Sequence, residues 1–597
     1  MNGEMQRARR RQMFIFLLVT FGMLVLLGRL YYWQVLQSHS GYNLAQQAND
    51  EHLQNQILDA PRGLIVDSAG RILASNIIRD DVYIEPEQFL VDHPNGDGQG
   101  NLQTLIAALH GALPHVSIAA LQKAFRDGFA QGQWAVRVAV HIDPAQSEAL
   151  RNLQLPDVFL QPRTWRVYPA GTLAAQILGF VTQNDTGNQG MYGIEKQYNS
   201  LLQGTAGSLT AETDLQGNPL TLAASNEQPA VAGANLTLTI DSNVQYMVED
   251  ALAKAVKQLQ AMSGTVVVLN ARTGAVVAMA GYPTFDPNQY GQYANQLGCA
   301  NQAGVYFNPA IYCVYEPGST MKAVTMSAGL DQGLITPDTT LNDQGCMSFA
   351  DNTPTVCNWR DLAYGTETMT GVLIHSANVG AAYVAHNILG TTHYYPYLQK
   401  FGFGQSTGID DGQENPGSYR QPGNPIWTMS DLTRQAFGES IYATPLQVAL
   451  VYQAIANGGV EMQPYLVSSI QGDGHHVNTQ PIIKRRVISA DAAQLLTGML
   501  EQAATKGFAQ LAQVPGYSIA AKTGTATTAG ISDDKTVASV AGFIPASNPQ
   551  FVILVKLDRP QKAIYGSTAA APLWGQVAQH LMWYFNVPPD LPLQLNG

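Results

Sequence analysis

The sequence predicts an α+β chain: a single N-terminal transmembrane helix, a mixed α/β region, and a larger region in which helices pack against an antiparallel sheet. Three observations predict it. An uncharged apolar run sits near the N-terminus, Met13 to Gly28. After residue 235 the pattern reads strand, helix, hairpin, a long mostly helical stretch, then two strands and a helix. And 597 residues, 46% hydrophobic and only 13% charged, make a folded composition too long for one core.

The first element is "RARRRQ" followed by "MFIFLLVTFGMLVLLGRLYYW". The apolar run plus its flank reaches the roughly 20 residues that span a bilayer. Arg7, Arg9, Arg10 and Arg11 should stay cytoplasmic, with Tyr31, Tyr32 and Trp33 at the far interface and Arg29 snorkelling outward. A cleaved signal peptide is the competing reading. The run is long for a signal core and no Ala-x-Ala site follows, which favours an uncleaved anchor. A net charge of −12, with no basic stripe beyond the first dozen residues, argues against nucleic-acid binding.

Residues 36 to about 58 read as a polar, helix-compatible stalk. "ILDAPRGLIVDSAGRILASN" reads as two short strands around Ser68-Ala69-Gly70. Residues 80 to 165 are mixed, with an exposed loop, "DHPNGDGQGN", and a helical stretch near Leu102–Leu113. "ASNEQPAVAGAN" (224–235) reads as a linker. Beyond it, "NLTLTIDSN" alternates as a strand and "VQYMVEDALAKAVKQL" has helical apolar spacing. "GTVVVLNARTGAVVAMAG" is a hairpin around Thr273-Gly274, and the end supplies "VASVAGFIPASNPQFVILVKL" and the helical "LWGQVAQHLMWYF". The domain limits expected are a cytoplasmic tail 1–12, an anchor 13–35, a stalk and pedestal 36–230 and a C-terminal domain 231–590. Four cysteines, Cys299, Cys313, Cys346 and Cys357, would form disulfides outside the cytoplasm. The local pairs Cys299–Cys313 and Cys346–Cys357 are favoured, and a zinc site is the alternative.

Three short motifs carry chemistry. In "EPGSTMKAVTMSAGL", Ser319 and Lys322 stand one helical turn apart. A neutral lysine there could take the serine proton, provided burial or a second cation lowers its pKa. "SAN" offers Ser376 as a proton relay and Asn378 as an amide binder, against the simpler reading of a helix N-cap serine. "KTGTA" follows the strand-like "GYSIAA" and offers Lys522 as the second cation. Its Gly524 permits close backbone approach, and an edge strand there could take a peptide as an added strand. A second Ser-x-x-Lys, Ser532 to Lys535, has no such companions and reads as a solvated loop.

Ser-x-x-Lys, Ser-x-Asn and Lys-Thr-Gly in this order are the set of penicillin-binding proteins and class A β-lactamases. The chain resembles a class B penicillin-binding protein over nearly its whole length. "PRGLIVDSAGRILA", "RVYPAGTLAAQILGFV" and "GMYGIEKQYNSLLQGTAG" are similar to boxes of that family's pedestal; "GAVVAMAGYPTFDPN", "FGFGQSTGID", "ATPLQVALVYQAIANGG" and "AAKTGTA" resemble its transpeptidase landmarks. "DGQEN" after "TGID" and "FGESIYA" before "TPLQ" depart from the usual pattern near the cleft.

The resemblance implies an elongated mixed α/β pedestal and a penicillin-binding domain with an all-helical subdomain. It implies a D,D-transpeptidase acting on peptidoglycan stem peptides ending in D-Ala-D-Ala, inhibited by β-lactams, with no cofactor and no metal. Ser319 would attack, Lys322 act as base, Ser376 relay the proton and Asn378 hold the peptide. Lys522, Thr523, Gly524 and Thr525 would face the terminal carboxylate, and the N–H groups of Ser319 and Thr525 the oxyanion. The implied setting is a bacterial cytoplasmic membrane, single-pass, with the catalytic domain outside and a SEDS-family glycan polymerase as partner, in elongation or division. A D,D-carboxypeptidase, a β-lactamase, a β-lactam sensor and a silent scaffold are the rival readings.

Overall fold

The computed structural model describes residues 2–32, 53–93, 98–184, 187–212, 225–299, 303–351, 353–472, 474–527 and 535–592. Trp33, Ser532 and most of the stalk expected over 36–58 lie outside them. The chain forms two compact units. The first holds the helix Asn2–Tyr31 and a three-stranded antiparallel sheet of Leu53–Leu58, Gly207–Glu212 and Ser225–Gln228. Within that helix Arg9–Tyr31 is long and apolar enough to cross a membrane, and its side chains are exposed.

Two expectations are corrected here. The end of the stalk, Leu53–Leu58, is a strand rather than helix, because Gly207–Glu212 supplies a backbone partner along its whole length. The segment read as a linker begins with the strand Ser225–Gln228. Both pairings join residues far apart in the chain or lacking strong alternation, so local pattern misses them.

The second unit comprises residues 62–203 and 232–597. Ile72–Ile84, much longer than the short strand expected, pairs with Ile65–Val66, Val136–Ile142 and Val158–Val167. The helices Gly98–Ala112, Ile118–Gln131 and Pro144–Leu153 contribute Leu109, Leu121, Phe125 and Leu150 to its buried core. Asn235–Leu238 lies between Ile65–Val66 and Val467–Gly472, so this region and the C-terminal region share one sheet. Glu195, fully buried, is held by Arg62 and Arg166, each at 2.7 Å.

The main C-terminal sheet has five antiparallel strands: β1 (Ser263–Asn270), β2 (Val276–Tyr282), β3 (Ala520–Thr527), β4 (Thr536–Ile544) and β5 (Phe551–Asp558). Their order is β2-β1-β5-β4-β3, leaving β3 at one edge. Both faces are covered. The helices Ser242–Leu259 and Ala571–Tyr584 bury Leu252, Trp574 and Leu581 against Val266, Val268 and Ile553. Pro445–Ala456, every residue of it buried, lies on the other side with Val267 and Leu554. Two-sided burial is why "TVVVL" and "FVILV" read as unbroken apolar runs instead of alternating ones.

Between β2 and β3 runs a helical insertion, including Lys322–Asp331, Met369–His375, Asn378–Tyr383 and Ala490–Lys506, which also carries small two-stranded pairs. The cysteines pair as Cys299–Cys313 and Cys346–Cys357, with Cα separations of 6.2 and 4.0 Å.

Candidate active site

The nucleophile motif does not lie on one α-helix, as its spacing suggests. Gly318–Met321 is a 3-10 turn and the α-helix starts at Lys322. In a 3-10 turn residues i and i+3 eclipse each other, so Lys322 falls directly over Ser319. Its Nζ lies 3.0 Å from Ser319 Oγ. Gly318 has φ +59, which a side chain tolerates poorly, and its N–H donates to Gly438 O at 3.0 Å. The "FGES" segment therefore ties down the turn before the nucleophile.

Ser376 corrects a second expectation. It is not an N-cap but follows the last residue of the helix Met369–His375, with φ +56 and ψ +39. This left-handed geometry reverses the chain, so that Ser376 and Asn378 both reach Lys322. Lys322 Nζ lies 3.2 Å from Ser376 Oγ, 2.5 Å from Ser376 O and 2.8 Å from Asn378 Oδ1. The two carbonyl oxygens can only accept. A neutral amine has two N–H groups to give them and would keep its lone pair for the Ser319 hydroxyl.

The third motif stands inside β3 rather than beyond its end. Lys522 pairs with Ala541 and Gly524 with Ser539, and Lys522 Nζ donates to Ser376 Oγ at 2.9 Å. Ser376 thus contacts both lysines. A Cβ on Gly524 would lie 2.5 Å from Pro317 O, so only glycine lets the nucleophile's turn rest on this strand. Thr525 Oγ1 accepts from Gly566 N at 3.0 Å.

Both lysines are buried, Lys322 wholly and Lys522 at 2% exposure. Burial, and then the charge of Lys522, push the Lys322 ammonium well below its usual 10.5; the carboxylates of Glu367 and Glu439 act the other way. Burial alone brings Lys522 down to about 7. Loss of solvation is therefore the main cause that lowers Lys322, and the charge of Lys522 is the smaller one.

The structure brings Ser319, Lys322, Ser376, Asn378 and Lys522 into one cluster, with Thr523, Gly524 and Thr525 along its edge. A cleft of about 460 Å³ opens over it, lined by Ser319, Ser376, Asn378, Thr523 and Thr525. Its outer walls, Trp359, Tyr364, His375, Phe508 and Tyr565, were not marked by any sequence motif. Only His375, directly before Ser376, had a neighbour that could have signalled it. The disulfide strand end Val356–Cys357 supports this wall: Asn378 Nδ2 donates to Cys357 O at 3.4 Å, and Asn358 Oδ1 accepts from Val379 N at 3.0 Å.

A serine beside a buried lysine, packed on the edge of a helix-covered antiparallel sheet with a second lysine on a shared serine hydroxyl, is the arrangement of a class of serine acyltransferases, and the comparisons identify the family. Residues 264–579 match the penicillin binding protein transpeptidase domain and residues 57–238 the penicillin-binding protein dimerisation domain. The penicillin-binding protein PbpB of Mycobacterium tuberculosis is 32% identical over 96% of this chain and 85% of its own length. The peptidoglycan D,D-transpeptidase FtsI of Escherichia coli K12 is 29% identical over 95% and 90%. The crystal structure of penicillin binding protein 3 from M. tuberculosis, complexed with aztreonam, superposes with a TM-score of 0.65 at 28% identity, over 90% of this chain and 99% of that one. The chain belongs to the class B penicillin-binding proteins.

Proposed function

We propose that this chain cross-links peptidoglycan as a D,D-transpeptidase, through an acyl-enzyme on Ser319, from the outer side of a bacterial cytoplasmic membrane. The observation that carries it is the placement of Lys322 Nζ between the Ser319 and Ser376 hydroxyls, with Lys522 on the same Ser376.

The substrate is a stem peptide ending in D-Ala-D-Ala. Its terminal carboxylate meets Lys522, Thr523 and Thr525. That anion favours the charged form of Lys522, which in turn depresses Lys322 further. Ser319 Oγ attacks the penultimate D-Ala carbonyl as its proton passes to Lys322. The oxyanion rests on the N–H groups of Ser319 and Thr525. Asn378 orients the peptide amide. The proton on Lys322 travels through Ser376 Oγ to the departing D-Ala nitrogen, leaving an ester on Ser319. An acceptor amine from a neighbouring stem then attacks, its proton returns by Lys322 to Ser319 Oγ, and a new amide is formed.

The span Arg9–Tyr31, which opens with Arg9, Arg10 and Arg11, supports a single-pass anchor with its basic end inside. The two disulfides support an oxidising compartment for the catalytic domain. A SEDS-family glycan polymerase, in elongation or division, is the partner we propose for the anchor and pedestal; co-purification from the membrane tests it. The M. tuberculosis protein 3 structures hold aztreonam or ampicillin, which supports β-lactams as inhibitors of this chain.

Labelling with a fluorescent penicillin tests the reading. The wild type labels covalently and releases the label slowly, whereas Ser319→Ala does not label. Labelling of Ser319→Ala sinks the assignment. Rapid release of the label favours a β-lactamase, and hydrolysis without transfer to an amine favours a D,D-carboxypeptidase.

A further inference from the structure

The cleft contains a second proton-handling pair that the acylation steps leave unused. His375 stands directly before Ser376, at the end of the helix Met369–His375. Its Nδ1 lies 2.5 Å from Glu367 Oε1. With Glu367 ionised its oxygen only accepts, which sets the hydrogen of a neutral imidazole on Nδ1 and the lone pair on Nε2. Tyr364 stacks on the ring, centroids 4.4 Å apart and planes within 6°. Gly507 packs against the backbone just before His375, where a Cβ would lie 2.5 Å from Ile374 O, and Phe508 follows at the cleft wall. The His375 side chain is 45% exposed and the Glu367 side chain 2%. The carboxylate's other oxygen, Oε2, is buried without a hydrogen-bond partner.

This is a base oriented by a buried carboxylate, opening into the cleft that holds Ser319. The ordinary reading is a solvated histidine at a helix end. Against it stand the fixed ring plane, the fixed tautomer and a buried acid with unused acceptor capacity.

We infer that His375, oriented by Glu367 and Tyr364, is the general base that deprotonates the incoming acceptor ammonium before it attacks the Ser319 ester. The inference rests on the transpeptidase reading and concerns only its second half. An amine arrives at neutral pH mostly as R-NH3+, which has no lone pair. His375 Nε2 takes one proton, and the imidazolium is paired with Glu367. The free amine forms the C–N bond, and its second proton leaves by Lys322 to Ser319 Oγ as the C–O bond breaks. The imidazolium then returns its proton to water. The titratable groups facing the pair are Tyr364, stacked on the ring, with Asp343 and Lys322 acting on Glu367 through space. Burial raises the Glu367 carboxyl, and the chief opposing influence is the hydrogen bond with His375.

The test uses the full-length chain in detergent, a D-alanyl thioester as acyl donor and D-alanine as acceptor, and reads the ratio of aminolysis to hydrolysis from pH 6 to 9. His375→Asn keeps a donor toward Glu367 but has no base. Its ratio at pH 7 is expected to fall at least tenfold. Its aminolysis should climb about tenfold per pH unit with the free-amine fraction, whereas the wild type climbs less steeply. Glu367→Gln should follow the same direction. A ratio within twofold of wild type, or an unchanged pH slope in His375→Asn, overturns the inference. A wild type that hydrolyses the thioester but never transfers to D-alanine overturns the transpeptidase reading, and this inference with it.

Discussion

Lys522 makes contact with Ser376 at the cost of burying an amine that water would otherwise solvate. Its pKa is about 7 in the folded chain against 10.5 when exposed. The unfolded chain therefore binds that proton more tightly. The penalty is absent above pH 10.5, grows as the pH falls, and is complete below about 7. Lys522→Met, which fills similar volume without a charge, should be inactive toward penicillin yet more stable, by about 1–3 kcal/mol at pH 7. Denaturant melts at pH 7 and pH 10 check this: the gap between variant and wild type should narrow at the higher pH. At this scale the sequence was most informative. Three short motifs named the residues that converge, because each of these side chains sits next to a distinctive neighbour in the chain. His375 and Glu367 escaped because their pairing sets the end of the helix Met369–His375 against the strand Gly365–Thr368 that precedes it, which no motif spacing records.

At the scale of elements, the decisive contact is the nucleophile's 3-10 turn lying on β3. Gly524 faces Pro317 O and Ser539 Oγ, each 2.5 Å from where a Cβ would stand. Gly524→Ala should push the turn off the strand. A shift of about an ångström in Ser319 lowers the acylation rate on the order of 100-fold, and overpacking adds about 1–3 kcal/mol of instability. Stopped-flow labelling gives the first and thermal melting the second. The regular elements were legible where burial is periodic, as in Ser242–Leu259 and the hairpin β1–β2. The strand Leu53–Leu58 was not, because its ladder partner lies some 150 residues away. The 3-10 start of the nucleophile helix was equally hidden: Ser-x-x-Lys fits an α-helix and a 3-10 turn alike, and the choice is made by Gly318 bonding across to Gly438.

At the scale of the whole molecule, the fold exists to bury an amine. Lys322 lies where the helical insertion, the Ser376 reversal and the sheet edge meet, and no one of these elements alone would remove it from water. The resemblance of the whole chain predicted that architecture well, since each box of residues keeps its order along the chain. It could not rank burial above the second cation as the cause of Lys322 neutrality, because solvation is a property of the assembled domain and not of any motif. The pH dependence of the second-order rate of acylation by a fluorescent penicillin tests this claim most directly. A base held neutral by burial gives a rate that rises and levels off well below pH 10.5, the ordinary value for a lysine. A rate that continues to climb tenfold per pH unit up to pH 10 would contradict it.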